Sequence, residues 1–400
     1  MLRNGVRIVT EHLEHTRAVA IGFWLTTGSR FENSRFNGIS HLMEHMLFKG
    51  TSRRTAYEIA VSLEALGGQL NAFTEKELTC FYAIVLDEHF ETAVDVLSDI
   101  IQHPLLNGND LAIEKVIINE EYRNFLDSPE DYIHERLSIE LFKNHPLGLP
   151  ILGSPASVHA IQKEDLVRYH ADCYTGDRLI VSIAGNVDHS RCVEILEEQL
   201  AGLPLSGSRP DQNPLVSGTH TLPGINVVQT HICMGLPTFG YRDSDKFALL
   251  LLHNYLGNGM SSLLFQELRE KHGWAYAVYS FTEFFSDTGF MGIYTGTDSQ
   301  HSPAILELIQ DVFKTLKQNG LSEADITRIK SQLTGGLILG MEDASHRMHR
   351  LAKMEFHLQS YVPIDHVLSK IESLKPEDLT RLIDRLNMVD TMCVVTLEPK

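Results

Sequence analysis

Leu70-Asn71-Ala72-Phe73-Thr74-Glu75 returns, loosely, as Val278-Tyr279-Ser280-Phe281-Thr282-Glu283, with the triplet Phe-Thr-Glu in the same place. Working outward, each copy follows two segments with helical spacing. Before the first lie His41 to His45 and Tyr57 to Leu66. Before the second lie Phe247 to Leu256 and Ser262 to Lys271. This order of elements predicts a duplicated domain. Ala18 to Leu25 and Thr79 to Leu86 are rich in β-branched and aromatic residues and read as strands. His89 to Ile101 reads as a helix closed by Pro104. Asp110 to Asp127 reads as a longer helix capped by Asn109 or Asp110, and Ser128-Pro129 starts another. No regular βαβ rhythm is present, so the fold class is α+β: two similar domains, each an antiparallel sheet packed with helices. Leu203 to Gly218 has the proline, glycine and serine content of a linker. The expected division is a domain over 1–204, a linker over 205–218 and a homologous domain over 219–400.

The 400 residues carry 43% hydrophobic and 22% charged side chains, enough to bury two cores and too few charges for long disorder. A net charge of -18 argues against nucleic acid as a partner, because phosphate binding needs a basic face. The amino terminus, Met1 to Thr10, reads as the start of a strand without the pattern of a secretion signal. No run approaches the ~18 apolar residues of a membrane span. The five cysteines are scattered and never form C-x-x-C, which suits unpaired thiols in a reducing cytoplasm.

The segment His41-Leu42-Met43-Glu44-His45 carries the chemistry. On a helix, positions i and i+4 lie on one face, so both imidazoles can reach one metal ion, with Glu44 toward the same side. A catalytic zinc site usually takes three protein ligands and leaves one position open, so a further ligand is expected on a nearby element. Glu114 and Glu121 share a stripe of the helix over 110–127, whereas Glu120 points away. Leu111, Ile113, Val116, Ile117 and Ile118 make that helix largely apolar, and an inward carboxylate there needs a partner. The pattern alone leaves both glutamates open, as partners of a metal or as solvated edges of the stripe. Gly257 to Ser262 lacks the ending of a phosphate loop and reads as a turn that starts a helix.

With these residues in view, the chain resembles the inverzincin metallopeptidases of the pitrilysin and insulinase type, and within them the branch of mitochondrial processing peptidase and its bacterial relatives. The similarity rests on the H-x-x-E-H segment, on Gly28 to Glu32 before it, on Gly67 to Thr74 after it and on Glu114 to Glu121. In the second half it rests on Leu256 to Ser262 and Arg269 to Tyr276. The resemblance implies Zn2+ held by His41, His45 and Glu121, with Glu44 as the general base for a metal-activated water attacking a peptide bond. It implies that Glu114 and Glu77 support the metal region from behind, although Glu77 read by itself is equally a solvated loop carboxylate. It implies that peptide substrate adds as a strand along Leu70 to Thr74, bound by Asn71, Ala72 and Phe73, with Asn71 and Ala72 beside the scissile bond.

Arg269 and Tyr276 read locally as a solvated helix charge and a strand aromatic. By resemblance they contact substrate and stabilise the carbonyl oxygen as charge develops. In long relatives these residues come from the other half of the molecule, so the resemblance implies a homodimer in which one subunit's Arg269 and Tyr276 complete its partner's zinc site. The function expected is a zinc endopeptidase acting on peptides or unfolded segments inside a dimeric chamber in the bacterial cytoplasm, a mature mitochondrial form being the other placement. The alternative is a non-catalytic recognition or scaffold homologue, which need not keep the metal residues.

Overall fold

A computed structural model of the chain describes residues 1–207 and 222–399. Of the expected linker, residues 208–218 lie outside the described residues. Nine strands form two sheets. The first contains β1 (Arg7–His12), β2 (Ala18–Leu25), β3 (Gln69–Thr74), β4 (Thr79–Leu86) and β5 (Leu179–Gly185) in the order β1-β5-β2-β4-β3. The second contains β6 (Thr230–Phe239), β7 (Ala275–Phe284), β8 (Thr288–Thr297) and β9 (Cys393–Leu397) in the order β7-β8-β6-β9. Dropping β1, the orders β5-β2-β4-β3 and β9-β6-β8-β7 are the same topology written twice, which is the duplication suggested by the repeated triplet. The second sheet is antiparallel throughout. The first departs from the expectation at one edge, where β1 runs parallel to β5.

The helices that position the site follow in chain order. They are α1 (Ile39–Leu47), α2 (Ala56–Glu64), α3 (Phe90–Gln102), α4 (Gly108–Leu126) and α5 (Pro129–Leu141). Thr55 and Glu58 form a capping box on α2. Ser128 caps α5 with Pro129 in its first turn, as the sequence suggests. The cap of α4 is Asn107, whose side chain accepts the N–H of Asp110 at 2.9 Å, and not Asn109 or Asp110 as expected. The helix begins one turn earlier than its apolar pattern because Gly108 and Asn109 add nothing to that pattern.

The chain divides into two compact units that are not consecutive stretches. Among the described residues one unit comprises 1–123, 144–207 and 340–361, and the other 124–143, 222–339 and 362–399. A single cut at 205–218 therefore does not separate them. The helix Ala344–Leu358 belongs with the first sheet and α5 with the second, and the two helices hold equivalent places in the repeated order of elements. Both lie so close to their sheets that the strand beneath has no room for a side chain at one position, which is a glycine in each. A Cβ on Gly22 of β2 would sit 2.5 Å from the Met348 sulfur, and one on Gly235 of β6 would sit 2.8 Å from Leu137. Each unit thus has a sheet with both faces covered. In the first, Ile21, Phe23 and Leu25 point into the main core, and Ala20 and Trp24 point toward the helix Ala344–Leu358. The period-two alternation of β2 divides its side chains in this way.

Candidate metal centre

α1 presents two different faces. Leu42, Met43, Met46 and Leu47 are fully buried in the core, while His41, Glu44 and His45 lie on the half-buried opposite side. The helix starts on a carboxylate. Glu32 is buried and accepts the N–H of Gly38 at 2.7 Å, the N–H of Ser40 at 2.8 Å and the Asn37 side-chain amide at 2.9 Å. It meets the otherwise unpaired donors of the first turn and complements the positive end of the helix. Burial pushes the Glu32 carboxyl above its ordinary range, and these hydrogen bonds pull it back.

α4 brings Glu121 to the two imidazoles. His41 Nε2 lies 3.7 Å from Glu121 Oε2 and His45 Nε2 lies 3.6 Å from Glu121 Oε1, and one ligand atom from each residue falls within 4.8 Å of the others. Among the described residues this is the only such cluster of three or more His, Cys, Asp or Glu side chains. The separations exceed a hydrogen bond and approach the about 3.3 Å edge of a tetrahedron with bonds of about 2.0–2.1 Å. Glu121 Oε2 is buried without a hydrogen-bond partner, a position that is costly unless a cation shares it. Burial and the neighbouring His45 push His41 down to about 4, so its imidazole is neutral at pH 7 and has a lone pair to offer. The residues present therefore fit Zn2+, with two imidazole nitrogens and one carboxylate and, among the described residues, no fourth protein ligand in the cluster.

Two further contacts shape the centre. His45 Nδ1 is 2.9 Å from Glu114 Oε2, so a hydrogen bond there turns Nε2 toward Glu121. Glu114, only 1% exposed, places its other oxygen 2.6 Å from the Lys49 ammonium. Glu44 accepts a hydrogen bond from the Thr74 hydroxyl at the end of β3. Burial raises Glu44 above the usual carboxylate range. The Thr74 hydroxyl and His45 oppose that shift, and the Glu121 charge adds to it. A carboxylate held in this way is a stronger base than one in water.

Not every expectation survives in its original form. The apolar residues of α4 are divided: Leu111 and Ile118 are buried, but Ile113, Val116 and Ile117 are exposed, so the buried stripe is narrower than composition suggests. Glu77 is not a solvated loop carboxylate. It is buried at 2.7 Å from Arg30, which is also buried, and the Arg30 N–H bonds Lys76 O, fastening the turn after β3. β3 is an edge strand, as implied. Leu70 and Ala72 pack on the core of the first unit, and Asn71 uses its own side-chain oxygen to accept the Ala72 N–H at 2.8 Å. Phe73 points to the other face. Its ring stacks on His349 with centroids 5.6 Å apart and meets Trp24 edge-on at 5.5 Å. The ring is a packing element, which leaves the main chain of Phe73 for any substrate contact.

Arg269 and Tyr276 lie in the second unit and are brought together there. Arg269 Nη1 donates to Tyr276 O at 2.8 Å, and the guanidinium sits 5.1 Å from the Tyr276 ring centroid and 4.9 Å from that of Phe265. The helix over 262–271 expected here is a π-helix at Phe265–Lys271, ended by Gly273 at φ +64°. Tyr276 is 78% exposed. Glu32, Lys49 and Thr74 had no assigned role from the sequence. Only Glu32 had a local signal, an acidic residue just before a helix start.

The chain matches the insulinase family of peptidases (M16) over residues 7–155 and the inactive domain of that peptidase family over residues 160–333. It is 38% identical to an uncharacterized zinc protease of Bacillus subtilis, YmxG, over 96% of this chain and 94% of that protein. It is 37% identical to an uncharacterized zinc protease of Mycobacterium leprae, over 96% of this chain and 88% of that one. Its fold is similar to that of a Helicobacter pylori protease, with a TM-score of 0.89 at 21% identity over all of this chain and 98% of the other. A peptidase M16 inactive-domain structure from Pseudomonas fluorescens is similar to the same degree, over 97% of its length.

Proposed function

We propose, from the premise that this chain belongs to the insulinase peptidase family M16, that it is a zinc-dependent endopeptidase acting on peptides and unfolded segments. The observation that carries this reading is the convergence of His41, His45 and Glu121 with Glu44 beside them on α1. Those three side chains would hold the metal. Zn2+ bound there supplies Lewis-acid polarisation of a water molecule and of the scissile carbonyl.

The chain's own residues do the rest. Glu44, its carboxylate steadied by Thr74, takes the proton of the attacking water and delivers it to the leaving amine. Glu114 holds the His45 tautomer. The open edge of β3 offers main-chain N–H and C=O groups to an extended peptide, giving affinity with little sequence preference. Before substrate arrives, Asn71 satisfies the Ala72 N–H and would yield it to an incoming carbonyl. The non-catalytic scaffold alternative is disfavoured by the complete set of His41, Glu44, His45 and Glu121. The test is hydrolysis of a peptide library by metal-free and zinc-restored protein, read by mass spectrometry. Chelator-sensitive cleavage at internal bonds is expected, and its absence with zinc bound would favour the scaffold.

The active enzyme in this reading is a cytoplasmic homodimer in which Arg269 and Tyr276 reach the zinc centre of the other subunit, the guanidinium and phenol stabilising the oxyanion. Support comes from their placement together in the unit that does not carry the metal residues and from the 78% exposure of Tyr276, whose ring is touched by the Arg269 guanidinium. No described helix is long and apolar enough to cross a membrane. Mixing Glu44→Gln chains with Arg269→Ala chains tests completion in trans. Each homodimer should be inactive, and the mixture should recover activity through one competent site per mixed dimer. A mixture as inactive as its parents would refute it.

A further inference from the structure

Lys49 stands just beyond the end of α1, where the chain turns sharply. The N–H groups of Phe48 and Lys49 bond back to His45 O and Met46 O, both at 3.2 Å. Gly50 then turns at φ +128°, and its carbonyl accepts the Leu105 N–H at 3.0 Å. This turn fixes the Lys49 backbone and sends its side chain toward α4. There the ammonium pairs by charge with Glu114 Oε1 at 2.6 Å, an oxygen that has no hydrogen bond, while Glu114 Oε2 faces His45 Nδ1 at 2.9 Å. The two oxygens of one buried carboxylate thus serve two partners. One is the imidazole of His45, and the other is a cation whose side chain is 33% exposed.

We propose that Lys49 is a positioning residue of the metal centre. By anchoring one oxygen of Glu114 it fixes the carboxylate plane, so the other oxygen stays aligned on the His45 N–H and Nε2 stays directed at Glu121. Three features argue for this. The terminal torsion of a glutamate is broad, so a buried carboxylate with a single directional partner can swing away from it. A carboxylate with almost no solvent contact is stabilised by a nearby positive charge as well as by its hydrogen bond to an imidazole. Glu44, Glu114 and Glu121 also crowd three acidic groups around two imidazoles, and Lys49 offsets one of them without competing for the metal. Because its side chain is 33% exposed, Lys49 pays less desolvation than a fully buried ammonium would.

This inference rests on the zinc reading, and its experiment separates the two. Zn2+ affinity is measured by competition with a chromophoric chelator, on the full chain, for wild type, Lys49→Met, Lys49→Arg, Glu114→Gln and the double variant Lys49→Met/Glu114→Gln. Metal-free melting is recorded alongside. Lys49→Met should bind Zn2+ about 10-fold more weakly, the low end of the range for outer partners of a metal ligand, with little change in metal-free melting. Lys49→Arg should recover most of the affinity. In the Glu114→Gln background Lys49→Met should produce no further loss, since its effect passes through Glu114. The visible spectrum of the Co2+-loaded protein should change in Lys49→Met and return in Lys49→Arg. Wild-type affinity in Lys49→Met, or losses that simply multiply in the double variant, would overturn the role of Lys49 while leaving the zinc reading intact. A wild-type chain that does not bind Zn2+ would overturn both. If Lys49→Met does not fold, Lys49→Gln is judged by the same criteria.

Discussion

Replacing Glu32 by glutamine tests whether the start of α1 is held as described. The carboxylate accepts two donors on Oε2, from Asn37 and Gly38, and one on Oε1, from Ser40. Glutamine has the same shape but only one acceptor oxygen. Its better orientation keeps the oxygen toward Asn37 and Gly38, which turns the amide NH2 toward the Ser40 N–H. That buried N–H then loses its acceptor, at about 1–3 kcal/mol. Removing a desolvated charge returns part of this, because burial already raises the Glu32 carboxyl. A net loss of about 1–2 kcal/mol is expected, or roughly 2–8 °C in melting temperature for a unit of this size. Glu32→Ala loses all three acceptors and should fall further. The assay is thermal unfolding by circular dichroism in chelator, with Zn2+ affinity measured separately, since the first turn of α1 carries His41. A Glu32→Gln protein that melts within about 1 °C of wild type would refute the capping argument.

Two other outcomes are expected. Gly235→Val should destabilise by about 1–3 kcal/mol through overpacking, because the added Cβ would meet Leu137 and Leu141 of α5 at 2.8 and 3.0 Å. Chemical denaturation checks it, and Gly235→Val in a chain also carrying Leu137→Ala should regain part of the loss. Metal-free protein should also lose stability as pH falls. His41 and His253 are each pushed down to about 4 by burial, from an unfolded value near 6.5. Between those values the unfolded chain binds more protons, so stability is present above about pH 6.5 and declines as pH falls toward 4. The denaturation midpoint should be lower at pH 5 than at pH 7, and an equal midpoint would contradict the burial of both imidazoles.

The metal residues were legible because their spacing is local. His41 and His45 are one turn apart, so helical geometry paired them; it also put Glu114 and Glu121 on one stripe but left both open, and only the family resemblance singled out Glu121. The duplicated order of elements was legible for the same reason, since the pattern of strands and helices is written twice. What escaped depends on which surface meets which. Nothing in Pro129–Leu141 says that this helix covers the second sheet, nor in Ala344–Leu358 that it covers the first. Gly22 and Gly235 mark those approaches only after the partner is known. Lys49 and Thr74 have unremarkable neighbours, and their contacts with Glu114 and Glu44 join elements far apart in the chain. The apolar count of α4 misled for a related reason, because Ile113, Val116 and Ile117 are exposed although their types suggest a core. Glu77 looked like a loop charge because its partner, Arg30, is forty-seven residues away in sequence.

The most direct test of the central claim is a paired measurement on Glu44→Gln: zinc content after dialysis, and cleavage of an unstructured peptide by the zinc-loaded protein. Glu44 is assigned as the base and not as a ligand, so the variant should retain Zn2+ at the wild-type ratio. It should lose hydrolysis by at least the about 100-fold expected for removal of a general base. Full activity with zinc bound would contradict the role of Glu44. Loss of zinc together with activity would contradict the ligand set of His41, His45 and Glu121.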